Sequence, residues 1–271
     1  MSSLFKYFKN LNPLLLIIYF SIILFLPLLN LILNVFKLPL NQILAIATNP
    51  VALSAYFLTL KLSLIATLIN ICFGSCIAYV LTYICFWGKS FIDILIDIPI
   101  ALPTSLAGFA FYRAYQTDSS LSKIFNKIFK LQLIYSPSAI IMVMVFVSIP
   151  FVIRNLQPIL LELDSKKEIK ESAICLGANS WQIFLFIIFP YIKKSLLTGA
   201  VLSFARSIGE FGSIIIISSN LPYKDLVVSV LIAQKLEQYD YQSATVIGTI
   251  MLFISLFILS VLNLLDRSSY D

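Results

Sequence analysis

Six stretches of this chain are each long and apolar enough to cross a bilayer as a helix, and nothing else limits its fold so strongly. A hydrocarbon core of about 30 Å takes ~20 apolar residues in an α-helix. The runs at 13–35, 62–86, 91–112, 136–156, 195–219 and 243–265 meet that requirement. Composition agrees, since 60% of the 271 residues are hydrophobic and only 12% are charged. A soluble domain carries about 25% charged residues, and a soluble core of this composition would leave large apolar patches in water. The sequence predicts an all-α membrane protein of about six transmembrane helices in one membrane domain. The first run is longer than a signal-peptide core and lacks a small-residue cleavage site. No Arg- and Ser-rich transit peptide precedes it, so it reads as a retained span.

The remaining residue types exclude several functions. The net charge is +6, but the basic residues sit between apolar runs, which suits membrane orientation better than nucleic-acid binding. There is no histidine, so His-based acid–base chemistry and the HExxH zinc site are excluded. Cys72 and Cys76 lie one helical turn apart, while Cys85 and Cys175 are distant in sequence. That spacing favours small, buried, reduced side chains over a metal site. No GxxxxGK[ST] phosphate loop is present, so the chain does not itself supply an ATPase.

Three departures from plain apolar helix carry the functional expectations. The third run contains Asp97-Ile98-Pro99-Ile100-Ala101-Leu102-Pro103-Thr104-Ser105. Each proline removes a backbone donor and clashes with the preceding turn, so the helix is expected to break or kink. A break in lipid persists only where protein or water satisfies the freed groups, which would turn this run toward the bundle interior. It also places Thr104 and Ser105 at a helix start, where anions are attracted. The alternatives are a mere kink or a helix start lining a translocation path opposite Arg206. In the fifth run Arg206 and Glu210 are spaced i, i+4 within apolar sequence, so they can pair on one helix face. They read either as a pair locking the bundle or as a polar element of a path or gate. Gly209 and Gly212 beside them would admit another helix closely. Between runs three and four, 121–133 alternates apolar residues with Lys123, Lys127 and Lys130 at helical spacing. It reads as an interfacial amphipathic helix or an ordinary packed loop helix.

The loop between runs four and five, 162–194, is the most specific feature. With its edges it holds Arg154, Lys166, Lys167, Lys170, Lys193 and Lys194, which favours a cytoplasmic position for it and for both termini. Its order is Glu171-Ser172-Ala173, three residues, Gly177, nine residues, Ile187-Ile188-Phe189-Pro190. Read physically, an acidic helix start meets a glycine that ends the helix, and a short apolar helix over 182–192 returns to the membrane. Such a projection is a lever on which a partner can push.

That spacing resembles the EAA–x3–G–x9–I–x–L–P signature of importer permeases of the ABC class, departing at Ser172 and Phe189. The stretch 97–108 resembles sulfate/thiosulfate permeases of the CysT type, as do Ile149 to Arg154, Gln157-Pro158 and Lys235 to Tyr241. Phe204 to Gly212 is shared with molybdate permeases too. The resemblance implies a type I importer (MetI-like) fold. Residues 1–55 would form an N-terminal span and external loop, and 56–265 the transporter domain. It further implies that Glu171, Ala173, Gly177, Ile187 and Pro190 belong to a coupling loop on an ATPase. Arg206, Glu210, Thr104 and Ser105 would then lie on the path or gate. The implied partners are a second permease, a pair of ATPase subunits holding ATP and Mg, and an external sulfate-binding protein. The chain itself would carry no cofactor and no enzymatic activity. Molybdate or tungstate is the alternative cargo, and an ATPase-independent transporter or channel the alternative machine. Few glycines with many Ile, Leu, Lys, Phe and Asn suggest an AT-rich genome. Algal plastids encode similar permeases, so a plastid membrane is expected, with a bacterial inner membrane as the alternative.

Overall fold

In lipid every backbone N–H and C=O must be paired within the protein, so a chain of apolar runs resolves into helices. The computed structural model describes residues 13–116, 119, 123 and 133–267, and among them there are helices and no strand. Helix α1 (Pro13–Phe20) passes through a π turn (Ser21–Phe25) into α2 (Leu26–Phe36). A short α3 (Leu40–Ala47) leads to α4 (Pro50–Tyr83), then α5 (Lys89–Ala101) and α6 (Thr104–Tyr115). Next come α7 (Pro137–Ser165), α8 (Lys167–Cys175) and α9 (Ser180–Ile183). A second π turn (Phe184–Ile188) opens α10 (Phe189–Ile208), and α11 (Ile214–Ile217), α12 (Val228–Glu237) and α13 (Tyr241–Arg267) complete the chain. Five of these stretches are long and apolar enough to cross, and α5 with α6 forms a sixth span bent by 111°.

Local chemistry sets the ends. Asn49 accepts the amide hydrogen of Val51, and Pro50 fills the first turn, where a missing N–H costs nothing. The second span therefore begins at Pro50, twelve residues before the expected 62, and the helix runs unbroken across 55 and 56. The expected bend in the third span occurs, but at Leu102–Pro103. Pro99 is accommodated inside α5, while Leu102 and Pro103 both take extended backbone and Pro103 caps α6. Both π turns precede a proline. The amide of Leu26 bonds back to Ser21, and that of Phe189 to Phe184, immediately before Pro27 and Pro190. The widened turn lets each helix continue past a residue that lacks a donor.

Helix α7 is the centre, with 56% of its apolar window buried against 22–33% for the second, fifth and sixth spans. Helices α4 and α10 pack along it, and α2 and α3 lean on α13. A buried polar knot pins the three central helices. Asn70 of α4 donates to Ser148 of α7 at 2.7 Å and to Ser203 of α10 at 3.1 Å. Ser207 donates to the Ser203 carbonyl and lies 3.0 Å from Ser148. All four residues are buried. In lipid, where apolar contact gives no preference between helices, such bonds fix which faces meet.

Several expectations change. Helix α5 lies on α7 by one side and exposes Phe91, Ile94 and Ile100, so it flanks this chain's bundle instead of filling it. All four cysteines are exposed, Cys72 and Cys76 on the outer face of α4, because α7 takes the opposite face. The proposed amphipathic stretch 121–133 lies outside the described residues apart from Lys123 and Leu133.

Candidate functional site

Two regions gather the residues singled out by sequence. The first is the loop between α7 and α10. Helix α8 starts at Lys167 with Glu168 in its first turn, so Glu171 is its exposed fifth residue and not an acidic start. The helix ends in a Schellman motif: Ala178 N–H bonds to the Ala173 carbonyl at 3.0 Å and Gly177 N–H to Ile174 at 2.9 Å. Gly177 has φ +83° and open space around it, so the backbone, not packing, requires glycine there. A capping box of Asn179 and Gln182 then starts α9. No separate return helix exists over 182–192; those residues are the beginning of the fifth span, continuous through the π turn. Ile187 sits in that turn and Pro190 is the second residue of α10.

Side chains hold this loop against the bundle. Lys166 donates to Glu162 at 2.7 Å and to Tyr191 at 3.0 Å, and Tyr191 donates to Glu162 at 2.7 Å. These bonds hold the Lys166 ammonium charged well above the usual lysine range, with Glu162 the larger cause. Lys170 lies 4.2 Å above the Tyr83 ring and 3.0 Å from its hydroxyl, tying α8 to the last residue of α4. The outward side is apolar. Leu176 is 89% exposed, and Ile174, Trp181 and Phe186 are exposed with it. Leu176, Gly177, Gln182, Ile183, Phe186 and Ile187 line an open groove of about 290 Å³. These apolar side chains gather where the charged loop meets the fifth span and stay uncovered by the rest of the described chain. Gly177 and Ile187 thus share one groove, whereas Glu171 and Pro190 stand apart from it.

The second region is the turn after α10. The fifth span stops at Ile208, with Gly209 as its cap, instead of running to 219. Arg206 is therefore in the last turn and Glu210 beyond it, so the two do not share a helix face. They still pair, Arg206 Nη1 to Glu210 Oε2 at 2.8 Å, with Glu210 1% and Arg206 29% exposed. The other Glu210 oxygen accepts the Ser213 amide at 3.0 Å and lies 2.9 Å from its hydroxyl. That hydroxyl is also 2.6 Å from the Thr104 carbonyl, so its single proton serves one acceptor at a time. Ser229 of α12 donates to the Glu210 carbonyl at 2.8 Å. The start of α6 is thus docked on the 210–213 turn. A Cβ on Gly108 would lie 2.6 Å from Ser213 Cα, and one on Gly212 would collide with the Thr104 hydroxyl. Gly212 admits the close approach expected of it; Gly209 meets nothing but its own helix at 3.8 Å.

The sequence-predicted residues Arg206, Glu210, Thr104 and Ser105 are therefore brought into one neighbourhood. Ser105 is exposed and Thr104 half-buried. The first two amides of α6 point out of the helix start, and no described residue accepts from them. The arrangement offers hydrogen-bond donors and one guanidinium around a helix N-terminus, with a carboxylate neutralising the arginine.

Sequence reasoning missed Ser213, which joins the two halves of this site, since a serine in an apolar run is a weak signal. It also missed the pairing of Arg154 with Asp93 and Asp97, whose i, i+4 acidic spacing within an apolar run was a usable sign. Asp225 was missed as well: it is fully buried and accepts from the Ser219 and Leu221 amides, closing the loop before α12. Beyond the spans, Asp240 is held below the ordinary carboxylate range by Ser243 first and Lys235 after it.

Comparison with known proteins adds to this geometry. The family described as "Binding-protein-dependent transport system inner membrane component" matches residues 70–269. The chain is 48% identical over 223 residues to "Probable sulfate transport system permease protein cysT" of Chlorella vulgaris, covering 82% of this chain and 83% of that one. It is 42% identical over 251 residues to "Sulfate transport system permease protein CysT" of Synechocystis sp., covering 93% and 87%. Among solved structures it resembles a bacterial alginate ABC transporter in complex with an alginate pentasaccharide-bound periplasmic protein. The TM-score is 0.77 at 18% identity, over 94% of this chain and 92% of that one, which shows the fold.

Proposed function

The chain belongs to the binding-protein-dependent transport system inner membrane component family, and from that premise we propose that it is the permease subunit of an ATP-driven sulfate importer. The observation that carries the reading is similarity along almost the whole chain to proteins named as sulfate transport permeases. The multi-pass chain is placed in a plastid or bacterial inner membrane.

The apolar groove of the α8–α9 loop supports docking on a separate ATPase, which would bind ATP and Mg. Gly177 and Ile187 line that surface, Ala173 accepts the hydrogen bond that closes α8 next to it, Pro190 sets the helix behind it, and exposed Glu171 presents a charge elsewhere on the same loop. A second permease would complete the pore, and an external binding protein would deliver the anion. The start of α6 and Arg206 form the part of the path this chain contributes. A dianion needs donors that replace its water without trapping it. Free helix-start amides, two hydroxyls and an arginine already half-neutralised by Glu210 meet that need. In this reading the chain transports and does not catalyse.

The test is uptake of labelled sulfate by the reconstituted complex. Uptake is expected to require the ATPase and ATP, to be competed by sulfate better than by molybdate, and to fall strongly with Glu171→Lys. Uptake without an ATPase would overturn the importer reading, and stronger competition by molybdate would reassign the cargo.

A further inference from the structure

Arg154 of α7 is the most heavily bonded side chain in the described structure, and the function so far gives it no role. Its Nε and Nη2 grip the two oxygens of Asp97, both at 2.7 Å. Nη1 donates to Asp93 Oδ1 at 2.8 Å and to Gln157 at 2.6 Å, and Nη2 to the Asp93 carbonyl at 2.6 Å. Gln157 closes the ring by donating to Asp93 at 3.0 Å. All five guanidinium hydrogens are committed, in the planar fork that lysine cannot reproduce. The partners lie on α5, and α5 has no other extensive contact among the described elements than α7. The clamp, with Ile96 packed against the α7 core beside it, tethers the first arm of the broken span.

Its position gives it a further consequence. Eleven residues after Arg154, α7 ends at Ser165, and α8 begins two residues on. The helix continues unbroken through Pro158 over that length, roughly 16 Å, so a displacement of α8 is carried by α7 to Arg154. Beyond the clamp α5 runs to the extended pair Leu102–Pro103, a ready hinge, and then to the start of α6 on the 210–213 turn. We propose that Arg154 is a positioning residue that transmits movement of the α8–α9 loop to the hinge between α5 and α6, changing the angle at the break. This rests on the importer reading for the source of the push. A clamp that only neutralised charge would need one carboxylate and no fork; here two carboxylates, a carbonyl and an amide fix orientation as well as charge.

The experiment uses the assembled complex with its ATPase in lipid. The four native cysteines are replaced, and spin labels are placed at the exposed positions Ile94→Cys on α5 and Phe109→Cys on α6. The distance between labels is measured with and without ATP and Mg. The expected result is a nucleotide-dependent distance shift with Arg154, lost in Arg154→Lys while ATP hydrolysis persists. Asp97→Asn, which keeps shape and weakens the fork, is expected to reduce the shift and serves if the lysine variant does not assemble. An unchanged shift in assembled Arg154→Lys or Asp97→Asn complex would overturn the proposal, as would no shift with Arg154 present. Sulfate uptake is scored separately, so a wrong cargo and a wrong transmission path give different results.

Discussion

Two glycines in this chain are required for opposite reasons. Gly177 has room for a side chain but takes φ +83°, where an alanine costs about 1 kcal/mol or more. Gly212 can adopt ordinary backbone, but a Cβ there would strike Thr104 and come within 3.1 Å of the Ser105 amide. Gly177→Ala is expected to loosen the end of α8 and weaken ATPase association, leaving the bundle's thermal stability nearly unchanged. Gly212→Val is expected to lower thermal stability in detergent and stop uptake, because α6 is lifted from Ser213. Thermal melting alongside ATPase co-purification separates the two, and matching effects would contradict this account. At the same scale, Arg206 and Glu210 were readable as a pair from their spacing. That they close the end of a helix was not, because whether Gly209 caps or continues a helix depends on what packs beyond it.

Among the elements, the broken third span carries most of the function. Its break was legible because proline chemistry is local. Its place at the flank was not, because the Asp93–Asp97 face of α5 marks a side that needs a partner without saying which helix supplies it. The start of α6 offers two hydroxyls and two unaccepted amides. Thr104→Val combined with Ser105→Ala is expected to slow sulfate uptake several-fold at unchanged complex yield. Uptake at the parent rate would remove α6 from the path. The two π turns show the same division. Pro27 and Pro190 each lack a backbone donor, but only the folded backbone shows that both spans absorb this by widening one turn. That is why the fifth span begins at Ser180 and the loop is shorter than the sequence suggested.

For the whole molecule, sidedness is the testable property. On the proposed importer reading, the basic residues around the α8–α9 loop put that loop on the ATPase side. Exposed Cys175 is then expected to react with a membrane-impermeant maleimide only from that side, and Tyr239→Cys, at the opposite end, only from the other. Labelling of both from one side would contradict the topology. The sequence by itself determined that the chain crosses a membrane about six times and that its third span breaks. It also determined that a helix–glycine–helix loop projects between the fourth and fifth spans. Each follows from local physics: backbone that must pair within itself in lipid, prolines without donors, and a glycine at positive φ. Only the tertiary structure decided which residues meet. Arg154 and Asp97 are 57 residues apart, and Ser213 and Thr104 are 109 apart. Lipid is as apolar as the helices it bathes, so burial does not choose among helix faces. The choice falls to scattered polar side chains and small residues, whose partners exist only once the bundle has formed.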